Sequence, residues 1–67
     1  MKLCIGIHRG TLTSRDTEEM NVQSSQQATE ELDKAIKGYA RFGYQLWFAE
    51  LRDDGGKRVW YQNGTNP

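Results

Sequence analysis

Residues that could do chemistry are few in this chain and form no recognised motif. Cys4 is the single cysteine and His8 the single histidine, and on a strand both side chains would fall on one face. A metal site needs three or four ligands, so these two residues do not make one. A general-base histidine needs a nucleophile or an acid beside it, and no phosphate-binding loop, nucleophile elbow or HExxH motif is present.

The carboxylates do not converge on a site either. Glu30 and Glu31 are neighbours on a predicted helix, about 100° apart around its axis, so they cannot act as a pair on one substrate. Asp53 and Asp54 precede two glycines, which is typical of a tight turn. The sequence therefore predicts a protein that is not an enzyme and that has no metal and no cofactor.

Charge and composition limit the partners of this 67-residue chain. Nine basic and nine acidic residues cancel, whereas a dedicated nucleic-acid binder usually carries an excess of Lys and Arg. One cysteine allows no intrachain disulfide, which favours a reducing compartment. Lys2 is followed by too few apolar residues for a secretory signal, and no run reaches the roughly 20 residues of a membrane span. We expect a cytoplasmic protein without membrane contact.

Apolar periodicity predicts the elements that position these residues. Leu3, Ile5 and Ile7 alternate with polar or small residues over 2–9, which is the pattern of a half-buried strand. Residues 17–23 alternate in the same way and predict a second strand, antiparallel to the first. The polar stretch between the two strands predicts a loop.

A helix is predicted from about Ser25 to Phe42. Its apolar positions follow the 3.6-residue period. Ser24 and Gln27 have the spacing of a capping box, in which each side chain satisfies a backbone N–H at the other. Gly43 suits the left-handed residue that ends a helix. Gly38, inside the helix, is expected to allow a close approach to the sheet.

The last two predicted strands are apolar on both faces. We favour a three-residue loop at 54–56, in which Asp53 pairs with Lys57 and Leu51 lies opposite Val59. The face toward the helix would then carry Trp47, Ala49, Leu51, Val59 and Tyr61, and the opposite face Leu46, Phe48, Glu50, Arg52, Arg58 and Trp60. An even-numbered loop would instead place Trp47, Leu51 and Trp60 outside. In either register, three large apolar side chains face away from the helix.

These elements predict one α+β domain over residues 1–62, with a flexible tail at 63–67. One helix packs on one face of a four-stranded antiparallel sheet, in the order strand-strand-helix-strand-strand. A single helix covers only one face, so the other face is predicted to bind a partner. Aromatic residues and arginine are enriched at binding hot spots. The predicted partner-binding residues are Phe48, Arg52, Lys57, Arg58 and Trp60.

The occupant of this outer face stays open between another protein, a second copy of the chain and a nucleic acid. Phe48 or Trp60 could stack on bases while Arg52, Lys57 and Arg58 contact phosphates. The zero net charge and the missing glycine-aromatic motif of RNA-binding sheets favour a protein. The remaining alternative is that the exposed apolar residues have no special role.

The segment Asp54–Trp60, which reads DGGKRVW, resembles the C-terminal turn of some very small phage-encoded anti-CRISPR proteins. Members of that group, which inhibit type I surveillance complexes, also include proteins with the element order predicted here. The resemblance implies a stoichiometric inhibitor, encoded by a phage or another mobile element, that acts in the host bacterial cytoplasm. It would bind a CRISPR-Cas subunit and block target-DNA docking or nuclease recruitment. The resemblance transfers no functional residue.

Overall fold

A computed structural model describes residues 1–66. Over this range the chain forms four strands and one α-helix, which confirms the predicted α+β fold. The elements are β1 (Lys2–His8), a short 3-10 turn (Leu12–Ser14), β2 (Arg15–Asn21), α1 (Ser25–Ala40), β3 (Gln45–Arg52) and β4 (Arg58–Asn63). The strands make one antiparallel sheet in the order β2-β1-β3-β4. The two hairpins therefore join through the pairing of β1 with β3, and β2 and β4 are the edges.

Helix α1 packs against β3 and β1 and covers one side of the sheet, here called the inner face. The core between them is aliphatic, because alternate residues of the central strands meet small and branched residues of the helix. Its buried members are Leu3, Ile5, Ile7, Val22, Ala28, Leu32, Ala49 and Leu51. Burial of this apolar area is the main favourable term in folding, at roughly 25 cal/mol per Å².

The start of α1 follows the predicted capping box with one change. The Ser24 hydroxyl accepts a hydrogen bond from the Gln27 backbone N–H at 3.1 Å. The Gln27 side chain reaches back to the backbone N–H of Gln23, at 2.6 Å, rather than to that of Ser24. Both bonds satisfy backbone donors that a helix start would otherwise leave unpaired.

The end of α1 confirms the predicted role of Gly43, which has a φ of 81°. The backbone N–H groups of Gly43 and Tyr44 donate to the carbonyls of Ala40 and Tyr39, each at 3.1 Å. This is the Schellman pattern, and it ends the regular helix at Ala40, slightly earlier than predicted. The expectation for Gly38 is wrong, because nothing lies within 4 Å of the position where its Cβ would be.

Strand β2 begins two residues before its predicted start, at Arg15. The 3-10 turn shortens the connection, and the Arg9 N–H closes it by donating to the Ser14 carbonyl at 3.1 Å. Pairing between β1 and β2 then begins at once, with His8 opposite Arg15.

The β3–β4 hairpin has the predicted turn but not the predicted register beyond it. The Asp53 N–H donates to the Lys57 carbonyl at 2.9 Å, as expected for the three-residue loop. A β-bulge at Val59 then shifts the pairing, so that Leu51 lies opposite Trp60 instead of Val59. An extra residue on one strand reverses the facing of every residue that follows it.

A second bulge lies in β3 at Trp47. Gly6 of β1 pairs with Phe48, and the next residue, Ile7, pairs with Leu46. Leu46 therefore turns inward and packs against the core, although it was predicted to face outward.

The end of β4 extends beyond the predicted domain boundary at Gln62. The strand includes Asn63, and the N–H groups of Gly64 and Thr65 donate to β3 carbonyls, each at 2.8 Å. The last residue of the predicted tail, Pro67, lies outside the described residues.

Candidate functional site

The outer face is the side of the sheet away from α1, and its centre depends on Gly6. Residues of β1 alternate, so Gly6 faces outward between the inward-facing Ile5 and Ile7. The Phe48 ring occupies the space that a side chain at position 6 would fill, because a Cβ there would lie 2.6 Å from Phe48 Cδ1. Glycine in the middle of a strand thus allows the ring to approach the β1 backbone closely.

Phe48 is the middle member of three aromatic side chains, here called the aromatic row. The Trp47 and Phe48 rings meet edge to face, with centroids 5.2 Å apart and an interplanar angle of 79°. Phe48 and Tyr61 stack, with centroids 6.0 Å apart and an interplanar angle of 3°. Both arrangements suit the quadrupoles of the rings. The bulges at Trp47 and Val59 bring the row together, because they turn Trp47 and Tyr61 outward.

An arginine lies over each end of the aromatic row. The Arg15 guanidinium of β2 is 5.1 Å from the Trp47 ring centroid, and that of Arg58 is 4.8 Å from the Tyr61 centroid. These are cation–π distances. Arg15 and Trp47 belong to strands on either side of β1, so their contact crosses over β1 on this face.

Glu50 joins two arginines beside the aromatic row. Its carboxylate accepts hydrogen bonds from Arg52 Nε at 2.7 Å and from Arg58 Nε at 2.8 Å. The pKa of Glu50 is lowered, chiefly by the hydrogen bond from Arg52 and also by that from Arg58, although partial burial acts in the opposite direction. The carboxylate therefore stays ionised near neutral pH and offsets much of the positive charge at this end of the face.

His8 is buried on the outer side of β1, with 1% of its surface exposed. Its Nδ1 accepts a hydrogen bond from the Gly10 N–H at 2.9 Å, so a neutral ring carries its proton on Nε2. Nε2 has no hydrogen-bond partner among residues 1–66. No nucleophile pairs with it, because Cys4 lies four residues away along β1, or roughly 13 Å.

Cys4 is a half-buried thiol. Its pKa is raised, first by burial and then by the carboxylates of Glu19 and Glu50. The thiolate, which is the reactive form, is therefore disfavoured. Within residues 1–66, no three His, Cys, Asp or Glu side chains are grouped closely enough to hold a metal ion.

The structure brings together three of the five predicted binding residues. Phe48, Arg52 and Arg58 lie on the outer face within one connected cluster. Lys57 lies in the turn instead, where its backbone N–H donates to the Asp53 carboxylate at 2.9 Å.

The placement of Trp60 on the outer face is wrong. The bulge at Val59 turns its indole inward, where it packs against the core and its N–H donates to the Ser25 hydroxyl at 3.3 Å. Tyr61 takes the outer position in its place. The predicted positions of Trp47 and Tyr61 on the helix side are wrong for the same reason, since each follows or forms a bulge.

Sequence reasoning missed Tyr61 and Arg15 as members of the surface, and it placed Trp47 there only in the alternative hairpin register. Gly6 is the one local signal that pointed to it, because a glycine inside a strand marks a bulge or a close approach by another group. The partner of that approach, Phe48, lies far away in the chain, and only the paired sheet shows it.

Comparisons with protein-family models, with curated proteins and with solved structures find no match to this chain. No helix within residues 1–66 has both the length and the apolar character needed to cross a membrane.

Proposed function

We propose that this protein is a non-enzymatic binding module whose outer sheet face holds a protein partner. The observation that carries the proposal is the aromatic row with an arginine over each end. Aromatic and arginine side chains bury much area with few rotors, and they dominate the energetics of protein interfaces.

The row is also held in place before any partner arrives. Phe48 is fixed over Gly6 and between its two aromatic neighbours, and Arg58 is fixed by both Tyr61 and Glu50. Side chains that are already ordered lose little entropy on binding, so more of the contact energy contributes to affinity.

The same contacts favour a protein over a nucleic acid. Bases stack on open ring faces, but here the rings are stacked on one another or covered by guanidinium groups. Phosphates are attracted by excess positive charge, and the Glu50 carboxylate, bound to both Arg52 and Arg58, offsets half of the charge of that pair. A nucleic acid would have to displace these contacts before it could form its own.

The partner class that we propose is a subunit of a bacterial CRISPR-Cas surveillance complex, which the chain would inhibit by stoichiometric binding. Support for this step is the element order and the Asp54–Trp60 turn, both of which resemble features of small anti-CRISPR proteins. A rigid face without catalytic groups is suited to steric inhibition.

Affinity capture tests both steps. Tagged wild type, Tyr61→Ala and Ile36→Ala would be incubated with lysate that contains a type I surveillance complex, and the bound subunits would be quantified by mass spectrometry. Ile36, on the helix side, is a matched control because its exposure of 37% is close to the 42% of Tyr61. We expect Tyr61→Ala to retain about tenfold less complex than wild type, and Ile36→Ala to retain the same amount.

The possible results of the capture experiment distinguish an error in the binding surface from an error in the partner class. Capture of a different protein, lost in Tyr61→Ala, would keep the outer face and replace the partner class. Equal capture by Tyr61→Ala and wild type would contradict the outer-face proposal. Fluorescence anisotropy with single-stranded and duplex probes at about 50 mM salt checks the nucleic-acid alternative, for which we expect no binding. Sedimentation over a concentration series tests whether a second copy covers the face.

A further inference from the structure

A groove on the inner side of the sheet lies between α1 and the edge strand β2. Its volume is about 370 Å³, and its apolar lining comes from Met20, Ala35, Tyr39 and Phe42. The groove exists because α1 packs over β3 and β1 and leaves the inner side of β2 uncovered. It shares no residue with the outer face described above.

Gly38 lines this groove, and no close packing among the described residues requires a glycine there. A glycine inside a helix costs about 1 kcal/mol relative to alanine. Nothing lies within 4 Å of its absent Cβ, so no close packing offsets that cost. The missing side chain leaves room at the middle of the groove. Phe42, at one end, is 70% exposed and extends the apolar lining of the groove.

The rim of the groove is acidic. Glu18 of β2 and Glu31 of α1 line it, and Lys34 is the basic member of the lining, 3.8 Å from Glu31. The Glu18 carboxylate also accepts a hydrogen bond from the Tyr39 hydroxyl, and this bond connects β2 to α1 across the groove. Complementary charge in a partner would be positive.

A second copy of the chain does not fit this charge. In an antiparallel pairing of two β2 edges centred on Glu18, that carboxylate would lie opposite its own counterpart, with Asp16 and Glu19 close by. Like charges opposite each other destabilise a strand pair. This repulsion favours a different molecule as the occupant.

We infer that the groove binds a short basic segment of another protein, with a bulky apolar side chain seated over Gly38 and a lysine or arginine side chain at Glu18, because Lys34 already pairs with Glu31. This second binding site is independent of the proposed outer-face function, because the two lie on opposite sides of the sheet.

An NMR titration of the 15N-labelled full chain tests the inference. The probe is a short capped peptide with two leucines between lysines, and the controls are the same peptide with alanine for leucine and with glutamate for lysine. We expect chemical-shift changes at Gly38, Phe42 and Met20 and none at Tyr61. Each control peptide should bind about tenfold more weakly or less.

Two matched variants locate the site. Gly38→Leu fills the groove and is expected to weaken peptide binding about tenfold or more, while leucine remains a good helix former. Ala40→Leu adds the same side chain two residues further along α1, at an exposed position outside the lining, and should leave binding unchanged. Equal binding by the two variants, equal binding of the glutamate peptide, or no shift at millimolar peptide would overturn the inference. Groove shifts caused by protein concentration alone would also overturn it, in favour of a second copy.

Discussion

The two faces of one sheet differ in what they bury and how. Under α1 the inner face is aliphatic and closed, and Leu3, Ala49 and Leu51 each have 0% exposure there. The outer face consists of rings and guanidinium groups that contact one another side by side, and Tyr61 remains 42% exposed. This small domain therefore takes its stability from the residues buried under α1. The side chains of the outer face are held by one another and remain accessible to solvent.

Loss of a core side chain on the inner face has the largest expected effect. Leu51→Ala should lower the free energy of unfolding by about 3 kcal/mol, because it removes buried methyl groups and leaves a cavity. Val59→Ala, at a bulge position that is 44% exposed, should cost less than about 1 kcal/mol. Urea denaturation measures both. Equal costs would show that the two regions do not differ in the way described.

The Phe48 ring of the aromatic row contacts Gly6 in strand β1. Gly6→Ala should cost about 1–3 kcal/mol, because the added methyl group needs the space of a ring that its aromatic neighbours hold. In a Phe48→Ala background the same substitution should cost much less. A double-mutant cycle from denaturation curves gives this coupling, and independent, additive costs would contradict the placement of the ring.

Tyr39 tests a polar link between α1 and β2, in the open part of the inner face. Its hydroxyl donates to the Glu18 carboxylate, and that bond, with burial, raises the pKa of Tyr39 to about 12. The folded chain thus holds this proton more tightly than the unfolded chain, whose tyrosine titrates at about 10. The resulting stabilisation is complete below about pH 10 and is lost as the pH rises through about 12.

Tyr39→Phe should therefore cost about 1 kcal/mol at neutral pH and should lack this part of the alkaline loss of stability. Denaturation curves across that pH range compare the variant with wild type. Identical pH dependence in the two proteins would show that the bond to Glu18 contributes nothing.

Removal of an outer-face arginine should have the smallest effect on stability. Arg58→Ala breaks contacts with Glu50 and Tyr61, but the Arg58 side chain is 55% exposed and Glu50 keeps its bond from Arg52, so little folding energy is lost. The denaturation midpoint should hardly move, whereas partner capture should fall. A large loss of stability would mean that the outer face, too, is part of the structural core.

The parts of the fold that depend on local signals were predictable from the sequence. Ser24 marks the start of α1 and Gly43 its end, because a cap and a left-handed residue act within a few positions of themselves. The Asp53–Gly56 turn was predictable for the same reason. The two hairpins and the single helix followed from periodicity, and the fold class with them.

The composition of the outer face could be predicted only in part. Phe48, Arg52 and Arg58 were assigned to it correctly, but Trp60 was not. Each bulge depends on which side chains meet across two strands, and a hairpin sequence does not contain that information. The bulge at Trp47 lies opposite Gly6, and the Trp47 ring contacts Arg15. Both residues are more than thirty positions away in the chain.

Site-specific photo-crosslinking in a bacterium that carries a type I surveillance complex tests the central claim most directly. A benzophenone amino acid would replace Tyr61 on the outer face or, in a second protein, Ile36 on the helix side, where exposure is similar. The account predicts that a partner protein becomes covalently attached at position 61 and not at position 36. Attachment at position 36 alone, or at neither position, would contradict it.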